Sequence, residues 1–168
     1  LVLDGRGNRS ALARRGEAIY AGMSDGLYVS VDEGWTFSLV EGSPHSCNQV
    51  SASGDNLAMT CEGALWMHSG EEFREIDVSV DIESVAIAPS DPNFLVAGTA
   101  ESGVLWSADG GLTVSFTKEG LELGKGFTQI VADPLEPTHL LAGTACTRGL
   151  FRTEDRGTTW EYLPSSAH

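Results

Sequence analysis

The stretch Gly103-Val104-Leu105-Trp106-Ser107-Ala108-Asp109-Gly110-Gly111-Leu112-Thr113-Val114 decides the fold. It reads as a short apolar strand, a turn of pattern Ser/Thr-x-Asp-x-Gly-x-Thr, and the start of a return strand. The same pattern recurs at Gly26–Phe37, with Ser30, Asp32, Gly34 and Thr36, and at Gly149–Trp160, with Thr153, Asp155, Gly157 and Thr159. Each residue type has a reason to be there. Glycine takes positive φ without a steric penalty, as a tight reversal needs. The Asp carboxylate accepts backbone N–H bonds inside the turn, and the Ser or Thr hydroxyl adds another. The Thr after the glycine opens the return strand, where a β-branched side chain fits. In the middle copy the same roles fall to Ser107, Asp109, Gly111 and Thr113. These twelve residues are therefore read as turn formers, and the closing Phe37, Val114 and Trp160 as packing residues.

Two more strands precede each hairpin. Residues 83–88 and 94–98 flank Pro89-Ser90-Asp91-Pro92, where two prolines exclude helix and suggest a wide turn. Residues 127–132 and 139–143 flank a similar Asp/Pro turn. Leu95-Val96-Ala97-Gly98-Thr99 is nearly repeated as Leu140-Leu141-Ala142-Gly143-Thr144. A fourth hairpin, Gly63–Phe73, keeps the apolar pattern but has lost the box. By count from Gly63, Met67 takes the Ser position, Ser69 takes the Asp position, and Trp66 matches Trp106. The hairpin glycines Gly26, Gly63, Gly103 and Gly149 are spaced by 37, 40 and 46 residues. A repeat of about 40 residues with four short strands indicates propeller blades. The expected fold is all-β: four four-stranded antiparallel blades in a single domain, 1–168, at about 1–41, 42–78, 79–121 and 122–164. No spare strand is left to close a ring. The expectation is therefore an arc of a larger ring, continued by further sequence or another chain, with a compact four-blade ring as the alternative.

The box resembles the Asp-box, or BNR repeat, of sialidases, xyloglucanase-type glycoside hydrolases, sortilin-like receptors and propeller-type photosystem assembly factors. The resemblance implies a β-propeller and no particular activity. It also implies that the boxes lie at the outer edge of each blade, away from the usual ligand face. That face carries the loops between second and third strands and between blades. Here those loops supply Asp25, Glu62, Glu101 and Arg148 as a candidate binding face. Glu41, His45, Asp77, Asp81, Glu119, Glu122 and Lys125 lie in the inter-blade loops.

Composition limits the partners. The formal net charge of −14 makes nucleic acid improbable, because phosphate binding needs a basic surface. No apolar run reaches the roughly 18 residues of a membrane span. The chain carries no signal-type leader and does not begin with Met, which suggests a trimmed or partial chain. No CxxC pair, metal-type Cys/His spacing or cofactor motif is present. Glycoside hydrolysis needs two carboxylates across one bond, and Asp25 and Glu101, two blades apart, are the pair to consider. The sialidase-type Arg-Ile-Pro motif is absent, and no histidine has a defensible nucleophile partner. Trp66 and Trp106 are read as packing between blades.

Cys47 and Cys61 each lie seven residues from Gly54. A hairpin centred there sets them face to face, within disulfide range, whereas a one-residue shift puts them on opposite faces as free thiols. The expectation is a Cys47–Cys61 disulfide with Cys146 unpaired, and hence a periplasmic, secreted or lumenal location. The function expected is a non-catalytic binding or scaffolding module, or an accessory subunit of an assembly. Its partner would be a protein or a glycan, without cofactor or metal. The alternative is part of an Asp-box glycoside hydrolase.

Overall fold

The computed structural model describes residues 11–70, 72–101, 103–121, 126–144 and 149–164. They form sixteen strands in four antiparallel four-stranded sheets, each in sequence order. Blade 1 holds β1 (Ala11–Arg15), β2 (Ala18–Met23), β3 (Gly26–Ser30) and β4 (Ser38–Leu39). Blade 2 holds β5 (Cys47–Ser53), β6 (Asn56–Cys61), β7 (Ala64–Ser69) and β8 (Glu72–Ile76). Blade 3 holds β9 (Ile82–Ala88), β10 (Asp91–Thr99), β11 (Val104–Ser107) and β12 (Ser115–Thr117). Blade 4 holds β13 (Phe127–Ala132), β14 (Leu140–Thr144), β15 (Leu150–Thr153) and β16 (Glu161–Leu163). No helix occurs among the described residues.

The core lies between the blades. Side chains alternate across each strand, so every sheet presents one apolar face backwards and one forwards. Tyr20 and Leu27 of blade 1 bury against Val50, Leu57 and Met59 of blade 2. Ala58, Leu65 and Met67 leave the other face of blade 2 to meet Ile82, Val85 and Leu95 of blade 3. Val96 and Val104 of blade 3 then meet Phe127, Ile130 and Phe151 of blade 4. The first strands pack side by side, β1 on β5, β5 on β9, and β9 on β13. Among the described residues no comparable packing joins β13 to β1, so the four blades make an arc of a propeller with two free ends.

Three details differ from the sequence reading. The turn at Pro89–Pro92 is tight rather than wide: Ala88 pairs with Asp91, and a bulge between Asp91 and Leu95 absorbs Pro92, Asn93 and Phe94. A bulge is one of the few places a strand tolerates proline. Second, Gly63 does not start a third strand. Cys61 pairs with Ala64 across Glu62-Gly63, whereas Met23 pairs with Gly26 in blade 1. The alignment of blade 2 therefore moves by one residue. Leu57 pairs with His68 just as Leu95 pairs with Ser107, so His68 takes the box Ser position rather than Met67. Trp66 accordingly matches Leu105 and packs towards blade 1, while Trp106 packs towards blade 4.

The third detail concerns the cysteines. The β5–β6 hairpin pairs Ser53 with Asn56 and Gln49 with Thr60, a register that continued would set Asn48 opposite Cys61. A bulge at Asn48 shifts it, Cys47 faces Cys61, and the two are joined as a disulfide. The same bulge recurs at Glu83 in β9 and at Thr128 in β13. It turns Cys47, Ile82 and Phe127 into the inter-blade cores.

Candidate functional site

Antiparallel order puts two different rims at the two ends of the blades. One carries the box turns and the first hairpin turns. The Ser30 hydroxyl donates to Asp32 Oδ1 at 2.7 Å and accepts the Gly34 N–H at 2.8 Å. Asp32 then accepts both the Thr36 N–H, at 2.8 Å, and the Thr36 hydroxyl, at 2.5 Å. Ser107, Asp109, Gly111 and Thr113 repeat this set at 2.7, 2.8, 2.9 and 2.6 Å. In the last copy Thr153 donates to Asp155 at 2.6 Å and accepts from Gly157 at 3.1 Å. Asp155 accepts from Thr159 at 2.8 and 2.6 Å. The residue before the box glycine is also left-handed, at φ 61° for Glu33, 69° for Gly110 and 61° for Arg156. Two successive positive-φ residues bend the chain back onto the carboxylate.

These bonds favour the charged carboxylate. The Thr36 hydroxyl and N–H, with the Ser30 hydroxyl, hold Asp32 down to about 2, and the Thr113 and Ser107 bonds do the same for Asp109. Burial opposes ionisation of Asp155, yet its Thr153 and Thr159 bonds bring it below the ordinary carboxylate range. Asp133, in the β13–β14 turn, is lowered by the N–H groups of Leu135 and Glu136, at 2.8 and 3.0 Å. All four carboxylates are engaged in holding turns.

The opposite rim carries the second-to-third-strand loops and the crossings between blades. Main-chain bonds tie them into a collar. Ser24 O accepts from Ser46 N at 3.0 Å, and Ser46 O accepts from Glu62 N at 3.3 Å. Gly63 O accepts from Ile82 N at 2.7 Å, and Asp81 O accepts from Ala100 N at 3.0 Å. Asp25, Glu62, Asp81 and Glu101 stand on this collar with exposed side chains. Glu62 has left-handed backbone, φ 54°, and shares a hollow of about 330 Å³ with Val78, Val80 and Asp81. Asp25 accepts the Tyr28 hydroxyl at 2.8 Å, which raises the Tyr28 pKa. Asp25 and Glu101 belong to blades 1 and 3. Arg148 lies outside the described residues, as do Cys146, Glu122 and Lys125. Among the described residues no group of three His, Cys, Asp or Glu side chains could hold a metal ion. No described helix is long and apolar enough to cross a membrane.

The residue pattern left two things hidden. The collar is made of main-chain atoms of Ser24, Ser46 and Gly63, which carry no sequence signature. His68 was hidden by the one-residue shortening of the β6–β7 turn. It is buried, its ring lies 4.5 Å from that of Phe73, and its Nδ1 has no hydrogen-bond partner. Burial, then the charge of Arg15 across the blade 1–2 interface, push its pKa down.

With its geometry in view, the chain can be compared with known proteins. No protein-family model matches it. Over 85 residues it is 32% identical to a probable oligoxyloglucan-reducing end-specific xyloglucanase of Neosartorya fischeri, a match covering 49% of this chain and 10% of the relative. Its fold resembles the GH74 xyloglucanase of Xanthomonas campestris, with a TM-score of 0.70 at 20% identity, over 87% of this chain and 28% of that one. It also resembles the extracellular domain of a hybrid two-component system protein of B. thetaiotaomicron, with a TM-score of 0.69 at 14% identity, over 95% of this chain and 22% of that one. The chain thus spans a tenth to under a third of these relatives. Repeats, box bonds and fold together define a β-propeller. Its three box turns, each closed on an Asp carboxylate, resemble the Asp-box, or BNR, repeat.

Proposed function

We propose that this arc is a non-catalytic binding or scaffolding module outside the cytoplasm that holds a protein partner or a glycan on its loop rim. The observation that carries the reading is the collar. Its main-chain bonds fix Asp25, Glu62, Asp81 and Glu101 along one edge, so ligand contacts are made without first ordering a loop. In a chain of net charge −14, such an edge attracts basic groups and offers acceptors to sugar hydroxyls. The Cys47–Cys61 disulfide and the extracellular relative support an extracytoplasmic setting.

The test presents the immobilised chain with plant and animal glycans, xyloglucan oligosaccharides included, and with a lysine-rich peptide. We expect retention without cleavage products, weakened by salt for the peptide and by Asp25→Asn or Glu101→Gln. Turnover that either substitution abolishes would overturn this reading. It would favour the second one, part of a glycoside hydrolase, which the sequence match to a xyloglucanase supports.

A further inference from the structure

Three crossings lead from one blade to the next, and their fit against the third strand can be compared. Gly26, Ala64 and Gly103 share one register position, four residues before Ser30, His68 and Ser107. After blade 1 the crossing closes over that position. A Cβ on Gly26 would lie 2.8 Å from both Leu39 Cδ1 and Ser43 Oγ, and Ser43 Oγ accepts the Leu27 N–H at 3.0 Å. After blade 3 the fit is tighter, and Thr117 O would lie closer still to a Cβ on Gly103. Blade 2 differs. Its position holds a real Cβ, that of Ala64, and the crossing 77–81 stands off. Even on the neighbouring Gly63, a Cβ would come no nearer than 3.5 Å to Asp81 Oδ1. The space left is the hollow of about 330 Å³.

This hollow has two kinds of wall. Ala64, Val78 and Val80 give it an apolar side, and the two valines are continuous with the core between blades 2 and 3. Glu62 and Asp81 give it carboxylates from two different elements. Among the described residues, the ion pairs join Arg152 to Glu154 and Glu161 and Arg156 to Asp91, and no bond engages the side chain of Glu62 or Asp81. The collar bonds of Glu62, Gly63 and Asp81 fix the main chain beneath both carboxylates. A fitting occupant brings an apolar stem and a cationic head. A lysine side chain has both. Its methylenes lie along apolar surface, and its three N–H donors can be shared between two carboxylates. An arginine fork suits a single carboxylate in its own plane, and a sugar hydroxyl brings no charge.

We propose that the hollow between blades 2 and 3 seats one lysine side chain of a partner protein. The stem lies against Val78 and Val80, and the ammonium is held between Glu62 and Asp81. The inference rests on the loop-rim reading above and deepens it: the partner is a polypeptide, and the anchoring contact is this hollow. The net charge of −14 draws a basic segment towards the chain, and the hollow fixes where one of its lysines docks.

The probe is Nα-acetyl-lysine methylamide, titrated into the isotope-labelled chain and followed by amide NMR. Saturable shifts are expected at residues 62–64 and 78–82, and none at Asp25. Glu62→Gln and Asp81→Asn should each raise the Kd about fivefold, the worth of one exposed ion pair. Both should leave Tm unchanged, because these side chains are exposed and bond to nothing in the fold. Two partial probes separate the walls: methylammonium has the head without the stem, and the Nε-acetylated probe has the stem without the charge. Each should bind at least about fivefold more weakly. Shifts spread evenly over every acidic loop, or methylammonium binding as tightly as the lysine probe, would mean general charge attraction and overturn the proposal. So would binding that both substitutions leave intact. The rim reading fails separately, through Asp25→Asn and Glu101→Gln. A chain that retains ligands through those residues, while the lysine probe finds no seat, keeps that reading and loses this inference.

Discussion

The outer hairpin of blade 2 and those of blades 1, 3 and 4 solve one problem in two ways. The box hairpins pair only two or three residue couples, such as Tyr28 with Leu39 and Val29 with Ser38. Their long turns are held by side chains, through one carboxylate and two hydroxyls each. Blade 2 has Gly70 at the position of the box Asp. Its β7 and β8 pair five couples, from Leu65 with Ile76 to Ser69 with Glu72, and a short turn does the rest. A main-chain ladder thus takes the place of the box. The difference shows that the box substitutes for strand pairing and is not itself a requirement of the blade.

If so, the two kinds of hairpin should fail differently. The largest effect is expected in blade 2, where the disulfide secures the inner strands. Cys47 and Cys61 are fourteen residues apart, and removing a bridge of that span costs about 3 kcal/mol. The Cys47→Ser, Cys61→Ser double variant should melt several degrees lower, and reductant should lower the parent likewise. Urea unfolding checks both, and an unchanged midpoint would mean that ladder and core hold blade 2 alone.

Next comes the box. Asp32→Asn, Asp109→Asn and Asp155→Asn should each lower Tm at pH 7, because an amide brings donors to Thr and Ser groups that already donate. The pH dependence has a definite sign. The folded pKa of Asp32 and Asp109 is lowered, so their stabilisation is complete above the ordinary carboxylate pKa and is lost as pH falls through about 2. Parent and variant melting curves should therefore converge between about pH 4 and pH 2. A gap that stays constant across that range would show that the charge is not what holds the turn.

The sequence displayed the box and the blade period because both are written in residue types with fixed local jobs. It displayed the Cys47–Cys61 contact through a count about Gly54, although the hairpin is centred between Gly54 and Asp55 and a bulge at Asn48 makes up the difference. Bulges and turn lengths are set by how neighbouring blades meet, so they leave little local trace. That is why Gly63 read as a strand start and Met67 as the box Ser, and why the collar was invisible. The open end of blade 4 was hidden too: Leu141 and Leu150 are as apolar as their buried counterparts, and only the missing neighbour distinguishes them.

A smaller effect should follow from His68, the residue that stands where the other blades carry Ser or Thr. Burial and Arg15 lower its folded pKa, so its neutral form stabilises the fold above the ordinary histidine pKa. That contribution is lost as pH falls below about 6.5 and through the lower folded value. The groups facing it are the Phe73 ring on β8 and Arg15 on β1, itself bonded to Asp55 O and the Tyr20 hydroxyl. The parent chain should lose stability between pH 7 and pH 5. His68→Ser should flatten that slope whatever it does to Tm at pH 7. Parallel slopes from thermal melts at several pH values would remove His68 as the acid-sensitive group.

The smallest effect concerns the Trp35 side chain, because at that place only the main-chain N–H joins the box, bonding to Asp32 O at 3.3 Å. Trp35 follows Gly34 in the first box and is 85% exposed, and Leu112, its counterpart in blade 3, is 74% exposed. In blade 4 the place belongs to Thr158, which shows that the turn makes no demand for an aromatic there. Every bond of the first box runs through Ser30, Asp32, Gly34 or the Thr36 N–H and hydroxyl, and none uses the Trp35 side chain. Trp35→Ser should therefore change stability by less than about 0.5 kcal/mol, as exposed substitutions usually do. It should also leave binding at the loop rim intact, since Trp35 lies at the other end of the blade. If Trp35→Ser instead cost binding while melting as the parent does, the box rim would be a contact surface. The division of labour between the two rims would then be wrong.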